Sequence, residues 1–174
     1  MTWTERISKS EAAKDRLRAG DMIGEIITIG AISLVALFFV TNQVDDTGFF
    51  TSDFGELEMS FFYGSLLYGI VPAMLRLATG RRNLVRPFEI AGNVFFMIAV
   101  AYLLSVFPFD FAYLTALFPE SLSFILDWVT NEIARAVMTL SIVIVAIVSV
   151  WTAFVYLVVR DRLVREASSA DKRG

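Results

Sequence analysis

Four long apolar runs, separated by short charged stretches, constrain the fold of this chain more than any other feature. They cover residues 22–40, 57–78, 88–107 and 134–159. A hydrocarbon core about 30 Å thick is crossed by about 20 helical residues, so each run is long enough to span a membrane. Backbone groups find no water inside a membrane, which favours a helix even for the β-branched fourth run. The sequence therefore predicts an all-α integral membrane protein with four transmembrane helices.

The composition supports a membrane protein and excludes much catalytic chemistry. Apolar residues make up 56% of the chain and charged residues only 19%, whereas soluble domains have about 25% charged residues. Cysteine and histidine are both absent, which excludes disulfides, thiolate nucleophiles, imidazole bases and the usual zinc or haem ligands. No phosphate-binding loop or nucleophile elbow occurs either. We therefore expect a protein that is not an enzyme and has no cofactor.

The distribution of basic residues predicts the topology. Fourteen of the 15 lysines and arginines precede the first run, lie between the last turn of the second run and the start of the third, or follow the fourth. The other two loops, 41–56 and 108–133, contain none. By the positive-inside rule, both termini are cytoplasmic and the spans form an antiparallel four-helix bundle in the cell membrane. The basic side would face anionic lipid, which we expect as a partner; nucleic acid is not expected as one.

The whole chain divides into three predicted parts. Residues 1–20 are predicted to form a cytoplasmic helix, 21–160 a single membrane domain, and 161–174 a basic cytoplasmic tail. The segment 111–126 is apolar enough to suggest a fifth span, but a proline followed by a glutamate in its middle would be costly in lipid. We interpret it as an aromatic interfacial segment between the third and fourth spans.

Two carboxylates lie inside the predicted boundary of the basic side and are candidate functional residues. Glu89 follows a proline at the predicted start of the third span, where free N–H groups favour a negative charge. Glu25 is deeper in the first span and needs a partner, for which Arg76, Arg82 and Asn93 are available. Together with Asn93, the two glutamates form a candidate ion or proton pathway.

Small residues recur at helical spacing on two spans, where they permit close helix packing or homo-oligomerisation. Pro72 lies within the second span and predicts a hinge, because it cannot donate a backbone hydrogen bond. The candidate packing residues are Ser65, Gly69 and Ala73 on the second span, and Ala146, Ser149 and Ala153 on the fourth.

Arg135 is the single basic residue on the acidic side of the predicted membrane. It lies more than one turn beyond the 20 residues that would reach across from Arg160. We expect its side chain to snorkel toward the headgroups and to pair with Glu132 or Asp127.

Three functions are compatible with these features. The favoured hypothesis is a non-enzymatic membrane protein that acts through helix–helix contacts, as an accessory or assembly subunit of a larger complex or as a homo-oligomer. An alternative is a small ion or solute channel or transporter that uses Glu25, Glu89, Asn93 and Arg135. A lipid-active enzyme is disfavoured, because no specific pair of catalytic groups is evident.

Overall fold

The computed structural model describes residues 2–113 and 129–171, and within them the regular structure is helical. Four helical units are long and apolar enough to cross a membrane, which confirms the prediction of four apolar spans. The helices are α1 (Trp3–Ala13), α2 (Ala19–Val44), α3 (Glu56–Tyr68), α4 (Ile70–Thr79), α5 (Arg82–Val106) and α6 (Asn131–Asp171), with a 3₁₀ turn at Phe111–Tyr113.

The second span is interrupted in its middle. Helix α3 ends at Tyr68 and α4 begins at Ile70, so the interruption lies at Gly69. Pro72 lacks the N–H that would donate to the carbonyl of Tyr68, which weakens the helix at the predicted hinge. Helix α4 then ends at Thr79, and the next residue, Gly80, has a φ of 64°. Glycine in this left-handed conformation commonly terminates a helix, and here it leads the chain directly into α5.

Both ends of the chain differ from the simple division expected from sequence. Residues 1–20 contain the short helix α1 followed by a non-helical linker before α2. Helix α6 continues to Asp171, so the described part of the expected tail 161–174 is helical. Glycine and proline are absent from this part of the chain, and Arg162 pairs with Glu166 one turn later, which favours continuation of the helix. The predicted interfacial segment 111–126 lies mostly outside the described residues.

Contacts connect the spans in the order of the sequence. Helix α2 packs on α3 and α4, these pack on α5, and α5 packs on α6. Glu25 contacts Arg76 near one end of α2, and Gln43 contacts Tyr63 near the other, so these two spans run in opposite directions. Among the described residues, α2 and α6 do not pack against each other. The four spans therefore form a row with a gap between its first and last members.

The two sides on which the spans begin and end differ chemically. The terminal side holds α1, the turn at Gly80 and the C-terminal part of α6, while the loop side holds residues 45–55 and 107–113. On the loop side, backbone bonds from Asp110 to Phe49 and from Thr51 to Pro108 join the two loops. Eight phenylalanines pack there as the aromatic cluster: Phe39, Phe49, Phe50, Phe54, Phe62, Phe107, Phe109 and Phe111.

Candidate functional site

One arginine and two glutamates from three spans meet on the terminal side. Arg76 Nε donates to Glu25 Oε1 over 2.7 Å, and its Nη2 donates to Glu25 Oε2 over 2.8 Å. Arg76 Nη1 donates to Glu89 Oε1. All three side chains are largely shielded, with 18% of Arg76 and 16% of Glu25 exposed. The bidentate geometry is the strongest form of arginine–carboxylate pairing, so this ionic triad fixes α2, α4 and α5 relative to one another.

The structure changes the interpretation of Glu89 and identifies the partner of Glu25. Helix α5 begins at Arg82, six residues before the predicted start of its span, so Glu89 lies about two turns inside it. The free N–H groups are confined to the first turn of a helix, and the expected stabilisation by the helix start is therefore wrong. Glu89 depends instead on Arg76. Glu25 takes Arg76 as its partner, one of the three that the sequence offered.

Two adjoining cavities flank the ionic triad. The ionic cavity has a volume of about 250 Å³, and six charged side chains line it: Glu11, Glu25, Arg76, Arg82, Arg86 and Glu89. The inner cavity has a volume of about 420 Å³ and extends along the interruption at Gly69, with walls from the second, third and fourth spans. Arg76, Glu89 and Thr152 belong to the walls of both cavities. A cavity with mainly charged walls thus adjoins one with more apolar walls.

Several polar groups in these walls have no partner. Within the described residues, the side chains of Asn93 and Thr152 make no hydrogen bond, and both line the inner cavity. Arg82 pairs through Nη2 with Asp21 Oδ1 over 2.7 Å, and its Nε is buried without a partner among the described residues and faces neither cavity. The second oxygen of Glu89, Oε2, accepts no hydrogen bond from a described group. Polar groups that face a cavity without a partner are available to a ligand.

The N-terminal helix closes part of the terminal side. Arg86 joins Glu11 of α1 to Asn83, with both hydrogen bonds at 2.8 Å. Buried Asp15 accepts the backbone N–H of Asn83 over 2.7 Å. At the other end of α1, the Trp3 ring stacks on Phe154 of α6 with the centroids 5.8 Å apart. The sequence did not identify these contacts, because they join residues far apart in the chain.

Arg135 makes two contacts that the sequence did not predict. Its guanidinium lies 3.7 Å from the ring centroid of Phe107, and its Nη1 donates to the carbonyl of Leu104 over 3.3 Å. A direct ion pair with Glu132 is absent from the part of the chain that the structure describes. Asp127, the other expected partner, lies outside that part. The ring face at the end of α5 therefore offers Arg135 an electrostatic partner in place of Glu132.

The candidate packing residues lie at or near contacts between helices of the same chain. Ala73 is completely buried, and a Cβ at Gly69 would approach Ile32 of α2 to 3.1 Å. On the fourth span, Ser149 is buried, while Ala146 and Ala153 are half-buried. The tightest approach lies elsewhere, since a Cβ at Gly92 would clash with the Tyr68 ring at 2.5 Å.

No metal centre or homologue suggests a function for this site. The residues that the structure describes contain no group of three or more acidic side chains arranged to hold a metal ion. Comparison with known proteins finds no matching family model, no similar curated protein and no similar solved structure.

Proposed function

We propose that this protein is a non-enzymatic component of a cell membrane that acts through helix–helix contacts, either within a larger complex or as a homo-oligomer. The observation that carries the proposal is the incomplete row of spans. Helix α2 packs on one neighbouring span, and no contact with α6 closes the row within the described residues. Helix α2 thus has an uncovered surface that a partner helix would complete.

The uncovered surface of α2 has a suitable shape for such a partner. Gly20 and Gly24 are exposed, and no atom lies within 4 Å of a Cβ built on either one. Thr28 continues the same four-residue spacing and is also exposed. Small residues at this spacing let two backbones approach closely, which increases van der Waals contact between helices in lipid. Bulky isoleucines and leucines on the rest of α2 suit the surrounding acyl chains.

The ionic triad supports a structural role for the charges in the membrane. Arg76 and Glu25 satisfy each other in bidentate geometry, and Glu89 is held by the same guanidinium. Breaking one of these pairs would leave an uncompensated buried charge, so the pairing favours this arrangement of three spans. The ionic triad would therefore hold α2 in a fixed position relative to α4 and α5 when a partner helix binds.

We further propose that both termini face the cytoplasm. Nearly all basic residues lie on the terminal side, as the positive-inside rule requires for that orientation. A reporter enzyme that is active only outside the cytoplasm, fused after Gly174, should remain inactive. The same reporter inserted at Gly48, a glycine in the loop between α2 and α3, should be active. The reverse pattern would refute the orientation without affecting the helix–helix proposal.

The helix–helix proposal is tested by two matched substitutions. Gly24→Leu should abolish the complex in a mild detergent, measured as mass by light scattering or native mass spectrometry. Gly30→Leu is the control, because Gly30 lies on the same helix, also has open space around it, and points about 120° away from Gly24. A wild-type protein that is monomeric and without a bound partner, or an equal effect of both substitutions, would refute the proposal.

A second candidate function is ion or solute transport, and one observation favours it. Glu89 lines both cavities, with Glu25 in the ionic cavity and Asn93 in the inner one. The polar groups thus continue past the ionic triad toward the middle of the membrane at an interrupted helix, as in many transporters. Arg135 lies on the loop side, away from the two cavities, and is not one of these polar groups. Proton or cation flux into liposomes that is lost in Asn93→Leu would favour transport.

A further inference from the structure

We propose that the ionic cavity and the inner cavity together bind one phospholipid whose zwitterionic headgroup carries a primary ammonium. The proposal goes beyond the helix–helix function, because the uncovered surface of α2 forms no part of it. It rests on the polarity, the charge balance and the free polar groups of the two cavities.

The polarity of the walls changes along the cavities in the way that an amphiphile requires. Charged side chains surround the ionic cavity on the terminal side. The inner cavity continues past the amide of Asn93 to apolar walls that include Phe96, Val145 and Val148. Its volume of about 420 Å³ lies within the range of about 300–1,000 Å³ that is typical of ligand pockets. A headgroup would occupy the charged part, and an acyl chain the apolar part.

The charge balance of the ionic cavity selects the headgroup. Three arginines and three glutamates line this cavity, so their formal charges sum to zero, and Asp21 adds a further negative charge beside Arg82. A purely anionic headgroup would gain from the arginines but would also face all three carboxylates. A headgroup that carries both signs can place each charge beside an opposite one. The cavity therefore favours a zwitterion over an anionic lipid.

The groups left unpaired point to a donor-bearing cation and an anion. Glu89 Oε2 is a free acceptor for an ammonium hydrogen, which a primary ammonium can donate and a trimethylammonium cannot. Arg82 lines the ionic cavity, and its guanidinium, which pairs through Nη2 with Asp21, has Nη1 as a donor for a phosphate oxygen. Deeper in the inner cavity, Asn93 and Thr152 can donate to the ester carbonyls of the lipid. Every part of the headgroup region thus has a partner.

The binding experiment uses the full-length protein in mild detergent. Phosphatidylethanolamine, phosphatidylcholine and phosphatidylglycerol with identical acyl chains are added in equal amounts, and bound lipid is counted by native mass spectrometry. We expect one phosphatidylethanolamine per chain, retained about tenfold better than the other two, since a charge-assisted hydrogen bond typically changes affinity by at least that factor. Equal retention of the three lipids, preferential retention of phosphatidylglycerol, or a bound protein segment that excludes lipid would overturn the proposal.

Two pairs of variants locate the lipid. Glu89→Gln removes the charged acceptor, and Val148→Trp fills the apolar wall without touching the ionic triad; each should abolish the preference. Their controls are Glu132→Gln near the loop side and Val150→Trp on the exposed face of α6, which should retain it. If Glu89→Gln fails to fold, the Val148→Trp and Val150→Trp pair decides alone. Unchanged selectivity in Val148→Trp would overturn the proposed site.

Discussion

On the terminal side, a single guanidinium joins three spans through directed ion pairs, whereas on the loop side eight phenylalanines pack around two short loops. Arg76 contacts only Glu25 and Glu89 in the ionic triad. Phe49, by contrast, contacts four other rings of the aromatic cluster and is 2% exposed. The first region depends on a few groups of fixed geometry, and the second on many interchangeable contacts.

This difference has a physical consequence for how each region fails. Removing one member of a buried ion pair leaves an uncompensated charge, whose desolvation is expensive. Removing one ring from a cluster leaves a cavity that neighbouring side chains partly fill. The ionic triad should therefore respond to single substitutions more abruptly than the aromatic cluster. Three substitutions test this contrast, in order of decreasing expected effect.

Arg76→Leu should have the largest effect. It leaves Glu25 and Glu89 without a cationic partner and should lower the free energy of unfolding by about 3–5 kcal/mol. Unfolding can be followed by circular dichroism during titration with a denaturing detergent. Arg162→Ala is the control, because this exposed pair with Glu166 contributes only about 0.3–0.5 kcal/mol. A triple variant that combines Arg76→Leu with Glu25→Gln and Glu89→Gln should recover most of the loss, since no buried charge then remains unpaired.

Phe49→Ala should have a smaller effect at the loop side. Truncation of a buried phenylalanine typically costs about 3–5 kcal/mol, and repacking of the four neighbouring rings should hold the loss near about 3 kcal/mol. Phe49→Leu preserves most of the volume and should cost less than about 1.5 kcal/mol. Both losses of unfolding free energy can be measured by the same detergent titration. A Phe49→Ala loss well above that of Arg76→Leu would reverse the proposed contrast between the two regions.

Arg135→Gln should have the smallest effect. The substitution removes the cation from the face of Phe107 and should cost about 1 kcal/mol. Arg135→Lys keeps a cation and should recover part of this loss. Glu132→Gln distinguishes the observed contact from the salt bridge that the sequence suggested, and it should leave stability nearly unchanged. Equal losses in Arg135→Gln and Glu132→Gln would favour the salt bridge instead.

The sequence was sufficient to predict the apolar helices and the need of Glu25 for a partner. Both follow from the energetic penalty of exposing polar groups to lipid, which is visible in local composition. The prediction that the helix start stabilises Glu89 was wrong, because the third span begins six residues before the apolar run. Asn83 and Arg86 are polar, yet they lie in α5, where Asp15 accepts the backbone N–H of Asn83 and Arg86 donates to Glu11 of α1.

Other features could not be predicted because they depend on contacts between distant residues. The position of Arg135 over Phe107 requires the left-handed turn at Phe107, with a φ of 48°, to present that ring to α6. Short connections place consecutive spans side by side, but they do not determine whether the first and last spans meet. The gap between α2 and α6 is therefore a property of tertiary packing.

The pairing of the N-terminal linker with the turn after α4 also constrains the order of assembly during synthesis. Leu17 donates its backbone N–H to Gly80, and Arg82 donates its own to the carbonyl of Asp15. The acceptors and donors near residue 80 leave the ribosome only after the first two spans have been made. Helix α1 is therefore synthesised before the spans, yet it can reach its final position only after the second span is complete.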